Sequence, residues 1–156
     1  MKPNTDKSKS FGIAAVPARA RAKPMILIAE DSGDSREILK MLLGSKGYDV
    51  VAAANGLQAV EVALTKFPDL IFLDMELPLL DGLAVTRNLR CHAKFQKVPI
   101  ILVSGHDPTE YREPALAAGC TDYLPKPIDF DRFDAILNSA VPLRRGIENE
   151  LSDSKN

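Results

Sequence analysis

Residues 70–82 read Leu70-Ile71-Phe72-Leu73-Asp74-Met75-Glu76-Leu77-Pro78-Leu79-Leu80-Asp81-Gly82. Four consecutive apolar residues run straight into a carboxylate. So short and continuous an apolar run marks a strand buried on both faces, the kind found in parallel sheets. Asp81-Gly82 then opens a helix expected to reach about Cys91. Strand, turn and helix in that order make one βα unit.

The same pattern extends in both directions. Met25, Ile26, Leu27, Ile28 and Ala29 form a second buried run. Asp34 with Glu37 predicts a capping box, followed by Ile38, Leu39, Met41, Leu42 and Leu43 at helical spacing and Gly47 at the helix end. Residues 48–53 predict the next strand. Asn55 with Gln58 starts a helix whose apolar stripe is Leu57, Val60, Leu64 and Phe67, and Pro68 stops it. Downstream, residues 98–103 predict a fourth strand, with Pro99 near its start. Asp107, Pro108 and Glu110 look like the opening of a fourth helix. Pro114 cannot donate to the carbonyl of Glu110, so this helix is expected to kink or to begin late, near Glu113. Residues 121–124 predict a fifth strand, and Asp129 caps a fifth helix with Phe130, Phe133, Ile136, Leu137 and Val141 inward. Five βα units with right-handed crossovers give an α/β fold, a doubly wound parallel sheet with helices on both faces.

Composition fits this frame. The chain has 156 residues, 46% of them hydrophobic and 26% charged, with a formal net charge of −1. That is enough for one domain with its own core, and it excludes wholesale disorder. No apolar run approaches the roughly 18 residues of a membrane span. Cys91 and Cys120 lack CxxC spacing, which argues against a disulfide framework or a zinc knuckle. They read as reduced thiols of a cytosolic protein. Charge is uneven: residues 1–23 carry a formal +5 and residues 24–142 a formal −6. Residues 1–23 are expected to be a basic leader outside the fold, either a solvated extension, an organellar transit peptide or an anion-binding arm. Residues 24–142 form the domain and 143–156 a tail. The near-neutral chain gives no signature of a nucleic-acid-binding module.

Sheets of this class place their sites beyond the carboxyl ends of the strands. Glu30 and Asp31 follow the first strand, Asp74 the third and Ser104 the fourth. Lys126 follows the fifth, between Pro125 and Pro127. Three carboxylates, a hydroxyl and an ammonium therefore converge on one edge. Crowded carboxylates repel unless a cation neutralises them, and Mg2+ is a hard ion that needs only a few carboxylates plus waters. A carboxylate beside a metal can attack phosphorus, and Lys126 and Ser104 supply the charge and donors that a transferring phosphoryl group requires.

These residues resemble the receiver domain of two-component response regulators over about residues 24–142. The likeness rests on Glu30-Asp31, on Asp74 at the head of the quoted turn, on Ser104-Gly105, and on Tyr123 ahead of Lys126-Pro127. It implies a flavodoxin-like sheet of strand order 2-1-3-4-5. It also implies roles. Asp74 accepts a phosphoryl group from the phosphohistidine of a histidine kinase or histidine phosphotransfer protein. Asp31, Asp74 and the carbonyl of Glu76 ligate Mg2+, with Glu30 acting through a bound water. Ser104 and Lys126 hold phosphoryl oxygens, and Lys126-Pro127 is a cis peptide. On phosphorylation Ser104 shifts, Tyr123 turns inward, and the surface of helix four, strand five and helix five changes for a downstream protein target or a phosphorylation-dependent homodimer. The implied location is cytoplasmic, and the implied class is a switch rather than a turnover enzyme.

Glu76 and His106 stand two residues after the acceptor and two after the hydroxyl. They are expected to face each other across the pocket mouth and to tune the access of water. The chain is expected to be a stand-alone receiver, since 14 residues follow the fifth helix; a receiver excised from a hybrid kinase would look the same. Two further readings stay open: a Mg2+-dependent phosphohydrolase with an aspartate nucleophile, and a docking module that signals without phosphate.

Overall fold

A computed structural model of the chain describes residues 21–143. The expected leader and tail lie outside the described residues except at 21–23 and 143. The elements alternate without exception: β1 (Met25–Ala29), α1 (Gly33–Lys46), β2 (Asp49–Ala53), α2 (Gly56–Lys66), β3 (Leu70–Asp74), α3 (Gly82–Arg90), a 3-10 turn (Ala93–Phe95), β4 (Ile100–Ser104), α4 (Pro108–Ala118), β5 (Asp122–Pro125) and α5 (Phe130–Ala140). All strands pair in parallel in the order β2-β1-β3-β4-β5.

Successive strand residues face opposite sides, so one sheet serves two cores. Leu27, Ile71, Leu73, Ile100 and Leu102 pack beneath α2, α3 and α4 through Ala59, Ala63, Val85, Leu89 and Ala115. Ile26, Ile28, Leu70, Phe72 and Ile101 pack against Leu43 of α1 and Phe133 and Leu137 of α5. Every residue of β3 and β4 is buried, which is why their sequences are apolar up to the terminal Asp74 and Ser104. The chain reverses its strand order between β1 and β3, and this opens a crevice at their carboxyl ends.

Five expectations need correction. The cap of α1 is Ser32, not Asp34: Ser32 Oγ accepts from the Ser35 N–H, and the Ser32 N–H donates to the Glu30 carboxylate. The loop that carries the acidic pair therefore fixes where α1 begins. Of its apolar residues only Leu43 is buried, while Ile38 and Met41 are 61% and 73% exposed. Those five side chains span about 200° of the helix circumference, more than one sheet can cover. In α2 the buried residues are Gly56, Ala59 and Ala63; Val60, Leu64 and Phe67 of the expected stripe pack against the same core half-buried, and Leu57 is exposed. Small residues win because α2 approaches the β3–α3 loop closely: a Cβ at Gly56 would stand 1.9 Å from the Leu80 carbonyl oxygen. Helix α4 starts at Pro108, capped by the Asp107 side chain on the Thr109 N–H, and does not wait for Glu113. Pro114 sits inside it, and both Glu110 and Pro114 are exposed, so water can take the carbonyl bond that Pro114 cannot make. Phe130 of α5 is half exposed rather than inward and meets Phe133 edge-on at 5.8 Å.

Two glycine substitutions should move stability in opposite directions. Gly56→Ala should cost about 1–3 kcal/mol, because the new methyl meets backbone that cannot give. Gly44→Ala, in α1 with open space around it, should add roughly 0.5–1 kcal/mol. Urea unfolding midpoints of the two variants against the parent chain measure both.

Candidate functional site

The sheet delivers the site one strand end at a time. β1 ends at Ala29, and Glu30 follows with its side chain buried. Its carboxylate accepts from the Ser32 N–H at 3.0 Å and lies 3.4 Å from Lys126 Nζ. Asp31 is exposed beside it. β3 ends at Asp74, which is only 7% exposed. Asp74 Oδ1 accepts from the Glu76 N–H at 3.0 Å, and Oδ2 accepts from Lys126 Nζ at 3.1 Å. Lys126 arrives from β5 on a cis Lys126–Pro127 peptide, and its backbone N–H donates to the Ser104 carbonyl at 2.7 Å.

Gly82 keeps the floor of the site close. A Cβ there would lie 2.8 Å from the Asp74 carbonyl oxygen and 2.9 Å from the Met75 Cα. The Gly82 N–H donates to the Met75 carbonyl, so the quoted turn folds back onto the end of β3.

The electrostatics follow from burial and crowding. Burial raises the pKa of Glu30, and the charge of Asp74 pushes the same way, while the Ser32 N–H and Lys126 oppose it. Burial alone would lower Lys126, but its hydrogen bond and charge interaction with Asp74, then those with Glu30, outweigh it and the net shift is upward. Ligand oxygens of Glu30, Asp31 and Asp74 lie within 4.8 Å of one another. Negative charge thus exceeds the single ammonium present, and the donor set is hard oxygen. These residues fit a small divalent cation such as magnesium.

Ser104 is 1% exposed at the end of β4, and its Oγ accepts from the His106 N–H at 3.0 Å. Tyr123 is fully buried rather than waiting outside, and its hydroxyl donates to the His106 carbonyl at 3.0 Å. Glu76 and His106 do face each other: His106 Nε2 lies 3.2 Å from Glu76 Oε2. The Glu76 carboxylate is largely exposed and engages His106, while its backbone N–H serves Asp74. Cys91 and Cys120 are free thiols away from this cluster; Cys120 is buried against Thr86 Oγ1, and burial pushes its thiol pKa up.

One contributor had no place in the sequence reading. Arg36 Nη1 donates to the Glu30 carbonyl at 2.8 Å and lies 3.5 Å from the Asp31 carbonyl, tying the acidic loop to the first turns of α1. Its only signal was position: one turn beyond Ser32, an arginine on α1 can reach back over the loop that precedes it.

Comparison with known proteins agrees with this geometry. Residues 26–138 match the family model described as the response regulator receiver domain. The response regulator MprA of Mycobacterium ulcerans is 34% identical over 129 residues, which is 83% of this chain and 55% of that protein. The chain therefore spans about half the length of the curated relatives it matches. Among solved structures, the receiver domain of the sensor histidine kinase PA1611 from Pseudomonas aeruginosa PAO1 superposes with a TM-score of 0.70 at 36% identity, over 76% of this chain and 97% of that one. That structure holds a magnesium ion in its active-site cleft. The receiver domain of Ssk1 from Saccharomyces cerevisiae, solved with the histidine phosphotransfer protein Ypd1, gives a TM-score of 0.69 at 26% identity, over 76% of this chain and 88% of that one. Parallel sheet, acidic crevice and matched relatives lead to one assignment: the chain belongs to the response regulator receiver domain family of two-component systems.

Proposed function

We propose that Asp74 is the phosphoryl acceptor of a two-component signalling switch. The observation that carries the reading is the setting of its carboxylate. It is buried at the end of β3, held by Lys126 at 3.1 Å and by the Glu76 N–H at 3.0 Å, and faces the acidic pair across the crevice. Those bonds fix its orientation, so an incoming phosphorus meets a pre-aimed oxygen. A carboxylate oxygen of Asp74 attacks the phosphorus of a phosphohistidine. The P–N bond breaks and the imidazole leaves, giving an acyl phosphate. Lys126 and Ser104 then donate to phosphoryl oxygens; Ser104 Oγ accepts from the His106 N–H, which leaves its own proton free to donate.

Asp31, Asp74 and the Glu76 carbonyl are the groups that would hold magnesium, with Glu30 acting through a bound water. The ion supplies positive charge that offsets carboxylate repulsion as the negative phosphoryl group arrives. The donor partner is a histidine kinase or a histidine phosphotransfer protein. The output surface is α4, β5 and α5, for a downstream protein or a second copy, and the setting is the cytoplasm. Among the described residues no helix is long and apolar enough to cross a membrane. A hydrolase would need the residue two after the nucleophile as its acid or base; here that side chain, Glu76, is turned onto His106. We therefore read the protein as a switch and not as a turnover enzyme.

Incubation of the purified chain with Mg2+ and a small phosphodonor should add one phosphoryl group to the intact mass. The adduct should be labile to hydroxylamine and absent from Asp74→Ala. An unmodified parent chain, folded and with metal present, or an adduct that survives in Asp74→Ala, sinks the assignment. Asp31→Asn alters a direct ligand and should weaken Mg2+ binding by at least the roughly 10-fold that losing a group behind a ligand costs, read by calorimetric titration. Glu76→Ala and His106→Ala should each change the dephosphorylation rate, followed by the decay of the adduct mass; if both rates match the parent, the pair does not shield the acceptor.

A further inference from the structure

His106 is bound from four directions. Its backbone N–H donates to Ser104 Oγ, and its carbonyl accepts from the Tyr123 hydroxyl, both at 3.0 Å. Its ring lies 3.2 Å from the Glu76 carboxylate and packs on the Tyr111 ring of α4, with centroids 4.5 Å apart. The residue thus joins the β3–α3 loop, the hydroxyl of β4, the buried tyrosine of β5 and the surface of α4. Tyr123 is inward in the same arrangement in which Ser104 Oγ is still held by the loop. Inward packing of this tyrosine coexists with the bond from the His106 N–H to Ser104 Oγ.

We propose that His106 is the positioning residue of the switch: its side chain, clasped between Glu76 and Tyr111, fixes the β4–α4 loop so that its carbonyl holds Tyr123 inward. The physical argument is one of anchoring. Gly105, next to it, is exposed, has open space around it and contributes no side chain to hold the loop. A loop carbonyl makes a defined acceptor only if its residue is held, and the ring contacts are what hold it. A single contact at an exposed rim is weak alone, but here the Glu76 contact acts with a ring contact on the same imidazole. This inference rests on the switch reading of the site. It assigns the loop, rather than the acceptor, control over the resting position of Tyr123.

The full chain grown with 3-fluorotyrosine gives one 19F resonance each for Tyr48, Tyr111 and Tyr123, assigned by Tyr→Phe variants. A soluble gadolinium chelate then reports which are shielded. In the parent chain, Tyr123 should be shielded. In His106→Ala it should show a second, chelate-broadened population of about a tenth or more of its intensity. Glu76→Ala should show a smaller one. Tyr48, whose hydroxyl donates to the Val141 carbonyl in the other core, should not change. A Tyr123 already exposed in the parent chain, or equally shielded in His106→Ala and Glu76→Ala, overturns the proposal. If His106→Ala loses the Tyr48 signal through misfolding, Glu76→Ala at its exposed site decides alone. Intact-mass phosphorylation of the parent chain separates the two ideas. Phosphorylation with an unmoved Tyr123 in the variants leaves the acceptor standing and removes the clasp. A released Tyr123 with no phosphorylation does the reverse.

Discussion

Lys126 Nζ stands between two buried carboxylates, 3.1 Å from Asp74 and 3.4 Å from Glu30. Buried carboxylates at the end of one sheet repel each other, and a compact fold tolerates them only with a cation between them. The ammonium reaches this point because β5 pairs with β4, and β4 with β3, all in one direction. Parallel pairing places every carboxyl end on one edge. An antiparallel neighbour would have sent its end to the far side. The backbone bonds from Glu76 to Asp74, from Ser32 to Glu30 and from Lys126 to the Ser104 carbonyl then hold the charges in place.

The close approaches around this edge have a single origin. Gly56 and Gly82 lie where loops cross the strand ends, against the Leu80 and Asp74 carbonyls respectively. Both spaces are too tight for a side chain, so the site is built on backbone as much as on functional groups. Arg36 adds to this by donating to the carbonyls of the acidic loop. That floor contrasts with the β4–α4 loop, where Gly105 is open and the backbone is held by the His106 contacts and by the Asp107 cap on Thr109.

Much of this was legible in the residues. The continuous apolar runs of β1, β3 and β4 announced buried parallel strands, since only a strand covered on both faces has no polar side. Asn55, Asp81, Asp107 and Asp129 were visible as helix starts because a cap is a local bond over two or three residues. What misled was also local. Asp34 and Glu37 satisfy a capping pattern, yet Ser32 caps α1 because Glu30 orients the loop before it. Leu57 and Ile38 sit at apolar spacing, yet α2 buries alanines and α1 leaves Ile38 in solvent. Periodicity gives the direction of a face and says nothing of how near the neighbour comes.

By itself the sequence determined the order of the elements, the parallel class of the sheet and the set of groups at its carboxyl edge, because each follows from bonds and patterning within a few residues. Asp31, Asp74, Ser104 and Lys126 could be grouped in advance since a parallel sheet leaves them nowhere else to go. The tertiary structure alone decided which groups touch. It put Arg36 over the acidic loop and buried Tyr123 on the His106 carbonyl, whereas the facing of Glu76 and His106 followed from their positions after two strand ends. These contacts join residues of different loops and strands, and their distances depend on packing that no local pattern encodes.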